Sequence, residues 1–152
     1  MVRFLIHNII YMAFSLYSGK PKVEWYPVTT STAFSAGDLV YMVSNLLAKA
    51  DSTSGDHVGV ILKTIASTDS DYATARKVPV LVCDEEAKWL VDVGTGTLTT
   101  AMIGNTYDLK DENEIDVSAQ AKNVVTVVGF VSSTKAIVKI NAHLTALRVA
   151  TT

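Results

Sequence analysis

One cysteine, Cys83, occurs in 152 residues, which excludes a disulfide framework and a cysteine-based zinc site. Charge is scarce as well: 18% of the residues are Asp, Glu, Lys or Arg, against the usual quarter or so. With 13 basic and 15 acidic residues the net charge is −2, so the chain lacks the basic face that binds nucleic acid electrostatically. Long apolar runs are missing too. The most apolar stretch, Met1 to Tyr17, is broken by Arg3, His7 and Asn8. It falls short of the roughly 20 apolar residues that span a membrane. Neither nucleic acid nor membrane is therefore an expected partner.

What is present is β-forming. Apolar residues make up 49% of the chain, and Val (20), Ile (9) and Thr (17) together supply 46 of 152 residues. β-branched side chains favour pleated strands. A chain of about 150 residues buries roughly 70% of its unfolded surface on folding, so one domain with a sizeable core is expected. The reading is all-β: a small β-barrel or β-sandwich of short antiparallel strands with an extended N-terminal arm. Residues 1–22 form the arm, 23–142 the β domain and 143–152 a C-terminal tail.

The N-terminus admits several readings. Arg3 ahead of an apolar stretch from Ile9 to Leu16 resembles a secretory signal, although Leu16-Tyr17-Ser18-Gly19 lacks a small-x-small cleavage pattern. Met12-Ala13-Phe14-Ser15 also reads as an ordinary cytoplasmic start. As an arm, the segment is expected to dock on this domain or on a neighbouring subunit. Trp25 and Tyr26 follow it closely, near Phe14, Leu16 and Tyr17. Aromatic and apolar side chains concentrate at protein–protein contacts, so these five are the candidate interface residues.

Turn residues divide the remainder into short strands. These are expected at 23–28, where Pro27 restricts the strand to an edge or an end, and at 39–43, 45–50, 57–65, 78–83, 88–93, 106–109, 114–117, 124–131 and 136–140. One helical turn fits around 71–75, and 143–150 reads as a short helix or second arm. Trp89 and Phe130, on strands, are expected in the core. Two segments echo each other. Gly37-Asp38-Leu39-Val40-Tyr41 leads to Val58-Gly59-Val60-Ile61, and Gly104-Asn105-Thr106-Tyr107 leads to Val128-Gly129-Phe130-Val131. Either a β unit is duplicated, or two ordinary strand–turn–strand sequences coincide.

Catalytic patterns are weak. His7, His57 and His143 lack the spacing that puts two histidines on one face. Asp56 beside His57 permits a pair, but a histidine at a strand entrance is the simpler reading. No Gly-x-Ser-x-Gly elbow exists. Cys83 precedes Asp84, Glu85 and Glu86, which raise a thiol pKa, so it reads as a small buried hydrophobe. Gly94-Thr95-Gly96-Thr97 lacks the Lys-Ser/Thr and the helix of a phosphate loop and reads as a hairpin connection. Asp69-Ser70-Asp71 and the group Asp108, Asp111, Glu112, Glu114 and Asp116 supply oxygen donors. Counted from Asp108, however, an EF-type loop would place Asn113 at its sixth position and Ala119 at its twelfth. Solvated loops are expected, with weak calcium binding as the alternative. No cofactor and no catalytic set are expected.

Phe34-Ser35-Ala36-Gly37-Asp38-Leu39-Val40, then Leu47-Ala48-Lys49-Ala50-Asp51, then His57-Val58-Gly59-Val60-Ile61, resembles the capsid decoration (cement) proteins of tailed bacteriophages. The resemblance spans about Phe34 to Ile140, and its motifs describe turns and strands, not chemistry. It implies a small, often trimeric β protein made in the host cytoplasm and carried on the virion's capsid surface. Its partners would be the major capsid protein and other copies of itself. Other readings are a tail, head–tail connector or fibre-base component, a small trimeric nucleotide hydrolase, and a secreted binding module. The apolar segment Met1 to Tyr17 departs from the family pattern.

Overall fold

Runs of Val, Ile, Leu and Thr bounded by Gly, Asp and Asn form eleven strands in the structure, a computed structural model that describes residues 13–55 and 57–141. They are β1 (Phe14–Ser18), β2 (Val23–Pro27), β3 (Leu39–Val43), β4 (Leu46–Lys49), β5 (His57–Ile61) and β6 (Lys77–Val82). Then come β7 (Lys88–Thr95), β8 (Thr106–Leu109), β9 (Glu114–Asp116), β10 (Val125–Ser132) and β11 (Lys135–Ile140). A single 3-10 turn at Thr100–Met102 is the only helical element among the described residues, and none there is long and apolar enough to cross a membrane. The chain is all-β, as its composition implies.

The strands make two sheets. In one, β7, β11, β10, β8 and β9 pair in that order, and β9 returns to β7 in a parallel ladder, which closes a five-stranded barrel. In the other the order is β2, β6, β5, β3, β4. A parallel bridge between Val28 and Leu47 brings β4 back towards β2. Apart from these parallel closures, the ladders are antiparallel, as expected.

The two sheets are the same unit twice. Val40 pairs with Gly59 as Tyr107 pairs with Val125, and Ile61 pairs with Val80 as Val127 pairs with Val138. Tyr26 pairs with Val78 as Val91 pairs with Ala136, and the Val28–Leu47 bridge matches Val93–Ile115. The turns agree too. Gly37 N–H donates to Ile61 C=O and Ile61 N–H to Asp38 C=O; Gly104 N–H donates to Val127 C=O and Val127 N–H to Asn105 C=O. Both glycines have positive φ, +102° and +95°, where a side chain is strained. The Gly-Asp/Gly-Asn half of the sequence echo is therefore a true equivalence. The Val-Gly half is not, because Gly59 corresponds to Val125 and not to Gly129.

Equivalent positions differ where the units meet. Leu39, Val60 and Leu81 join the core of the β7–β11 barrel, whereas the matching Thr106, Thr126 and Lys139 remain outside it. Residues on the shared face became apolar because they pack against the second unit; their counterparts face solvent. Trp89, Phe14, Ile115 and Leu109 anchor this larger core, and Phe34, Leu47, Ile61 and Ile65 the smaller one.

Several expectations are corrected. β1 pairs with β7, so residues 14–18 belong to the domain, which begins before the expected boundary at 23. Gly94 and Thr95 extend β7 instead of opening a hairpin connection. β5 stops at Ile61, and Ile65 instead bridges Phe34. Residues 66–74 form hydrogen-bonded turns rather than a helical turn. Residues 1–12, Asp56 and 142–152 lie outside the described residues, and with them His7, His143, the readings of the first eleven residues and the expected tail helix.

Candidate interaction surface

β1 and β2 carry the candidate residues, and alternation along each strand sorts them. Phe14 is fully buried, in the core between the two units. It is corrected from interface residue to core anchor. Leu16 and Tyr17 are exposed, Tyr17 at 58%, where an irregularity between Leu16 and Ser18 interrupts the alternation. On β2, Tyr26 packs against the smaller core. Burial, and secondarily the Glu24 carboxylate, raise its phenol pKa. Tyr26 is thus half-buried lining, while Val23 and Trp25 on the opposite face are open, Trp25 at 60%. Of the five expected residues, Leu16, Tyr17 and Trp25 present apolar surface to solvent.

Val23 was missed because one valine carries no exposure signal; only the parity set by Tyr26 and Val28 turns it outward. Other exposed apolar residues are Val43 at the end of β3, Ile103 after the 3-10 turn, and Phe130 and Val131 towards the end of β10. Phe130 is corrected from the expected core position. Bulges interrupt the β10–β11 ladder on both sides of the Gly129–Phe130 pair, and the alternation that keeps Val125 and Val127 inside is lost there.

The residues considered for chemistry are occupied in turns. His57 is buried, with Nε2 3.0 Å from Ser54 Oγ. Ser54 Oγ also accepts the Asp51 N–H at 3.0 Å and donates to the Asp51 carbonyl at 2.9 Å. A hydroxyl engaged on three sides closes the β4–β5 loop and is not presented to a substrate. Cys83 is buried just after β6, and burial, then Asp84, push its thiol far above the usual value. A thiolate nucleophile is disfavoured there.

The acids serve similar ends. Asp108 accepts the backbone N–H groups of Ala121, Lys122 and Asn123 at 2.7–2.8 Å and so folds the β9–β10 loop. Asp111 accepts those of Asn113 and Glu114. Asp69 and Asp71 both pair with Arg76, the former at 3.1 Å. Among the described residues no three His, Cys, Asp or Glu side chains are grouped to hold a metal ion.

Asp38 is the exception. It is buried where the two units meet, and among the described residues its carboxylate accepts only the Ser35 N–H, at 2.8 Å. Burial raises its pKa to about 6; Glu112 and Asp111 add to the rise, while the Ser35 bond and Lys49 oppose it. Leu16 and Tyr17 on β1 and Val23 and Trp25 on β2 are thus the exposed apolar side chains of the two N-terminal strands. Compared with known proteins, the chain matches no family model and no curated protein sequence.

Proposed function

We propose that the chain is a non-enzymatic structural protein of a tailed-bacteriophage virion, binding the outside of the capsid as a decoration protein. The observation that supports this reading is the exposure of four apolar side chains, Leu16, Tyr17, Val23 and Trp25, on the two N-terminal strands. Apolar patches rimmed by polar residues mark protein contacts. The Phe34–Ile61 resemblance directs that contact to a capsid.

Attachment works by addition of surfaces. An interface of about 800 Å² per partner suffices for specific binding, and copies joined as a homotrimer add through avidity. A trimer seated where capsid subunits meet ties them together and resists their separation. Near-neutral charge suits a molecule that touches protein on several sides.

The test is co-sedimentation of the purified full chain with mature DNA-free heads of the virus that encodes it. Saturable binding, weakened at least tenfold by Trp25→Asp, supports the proposal. Absence of binding by the folded wild-type chain contradicts it.

A further inference from the structure

The repeat exposes one inequality between the two units. β1 lies on β7 at Lys88–Val91. The equivalent stretch of β2, Val23–Tyr26, carries no strand on that side among the described residues; only Val28, beyond its end, pairs there, with Leu47. Hydrogen bonds define the open edge. Val82 N–H donates to Lys22 C=O, and Val28 N–H donates to Arg76 C=O, so the even-numbered residues face β6. Val23, Trp25 and Pro27 therefore aim their backbone groups outward. Pro27, which has no N–H, is tolerated because its missing donor faces away from the ladder.

We propose that this edge pairs with the same edge of a second copy, antiparallel about a twofold axis at Val23. The sequence of the edge is complementary to itself in that register. Val23 meets the partner's Val23, each N–H donating to the other's carbonyl. Lys22 falls opposite the partner's Glu24, twice across the axis, and Trp25 falls opposite the partner's Pro21, whose carbonyl accepts the Trp25 N–H although proline has no N–H to return. Opposite charges facing each other across strands favour a register, and like charges disfavour it. Lys22, Val23, Glu24 and Trp25 are all exposed and available. The β1–β7 pair shows that the unit accepts an added strand at this place. The inference is independent of the capsid reading, because it concerns only the chain's contact with itself.

The experiment is light scattering of the full chain across a concentration series, with Glu24→Lys and the exchange Lys22→Glu/Glu24→Lys. Glu24→Lys puts lysines opposite each other, whereas the exchange restores opposite charges in reverse order. Both positions are solvent-facing, and unchanged thermal melting confirms that the variants fold. The wild type is expected to reach at least twice 16.4 kDa. Glu24→Lys lowers the mass at least twofold, and the exchange recovers it. An additional threefold association would persist in Glu24→Lys, so the two proposals fail separately. A wild-type mass that Glu24→Lys leaves unchanged overturns the inference, as would happen if residues 1–12 or another protein occupied the edge. Failure of the exchange to recover the mass overturns it as well.

Discussion

Asp38 sits in the unit-to-unit contact where the repeat places Asn105 in the other unit. Its pKa of about 6 exceeds the ordinary 3.8, so folding favours its protonated form. That contribution to stability is complete below about pH 4 and is lost as pH rises through 6. Asp38→Asn keeps an acceptor for the Ser35 N–H and removes the ionisation. Thermal melting should show the variant more stable than wild type at pH 7.5, by on the order of 2 kcal/mol. The two should converge near pH 4. Residue burial also separates two aromatics that sequence reading grouped together. Phe14→Ala should cost about 3–5 kcal/mol in denaturant unfolding, because it empties a filled core site. Trp25→Ala should stay within about 0.5 kcal/mol, since the indole touches mostly solvent. Cys83 was legible from its acidic neighbours and strand position, whereas Asp38 was not. Its burial comes from Phe14 and Glu112 segments distant in sequence.

At the scale of elements, the strands were legible wherever turn residues bounded β-branched runs, and β3 and β8 match their expected ranges. Two things were not. β1 looked like part of an arm because FSLYS has one inward apolar position, Phe14, and its partner β7 lies far along the chain. The repeat was half visible because β5 and β10 share a ladder register but place their glycines differently. Gly59 is required: a Cβ there would lie 2.0 Å from the Leu81 carbonyl oxygen. Gly129 serves a bulged region instead. The units differ most in one connection, since residues 62–76 join β5 to β6 where the Ser133-Thr134 turn joins β10 to β11. Arg76 holds that longer connection through Asp69 and Asp71, while Tyr72 Oη donates to the Ser31 carbonyl at 2.8 Å. Arg76→Ala should therefore speed limited proteolysis within 66–75 severalfold while leaving the barrel core protected in hydrogen exchange. Equal cleavage of variant and wild type would remove the ion pairs from this role.

For the whole molecule, two copies of one five-stranded unit share an apolar face and leave Leu16, Tyr17, Val23 and Trp25 of the N-terminal strands exposed. Composition anticipated the strands and the lack of charge, but not which apolar residues would be left over. That depended on the unit-to-unit contact, which absorbs Leu39, Val60 and Leu81 and leaves Val23 and Trp25 out. Of the five candidate residues, Phe14 is buried, Tyr26 is half-buried, and Leu16, Tyr17 and Trp25 are exposed. A truncation meant to test the N-terminal segment should end at residue 12, because removing β1 would uncover β7 and withdraw Phe14 from the core. Solution mass of that truncation, beside its binding to heads, separates self-association from capsid attachment.

The most direct test of the structural role is the number of copies in purified infectious particles, measured by quantitative mass spectrometry against the major capsid protein. A decoration protein predicts a stoichiometry near one copy per capsid subunit, or a fixed simple fraction of it, running to hundreds per head. A handful of copies per particle, or none, would contradict the account.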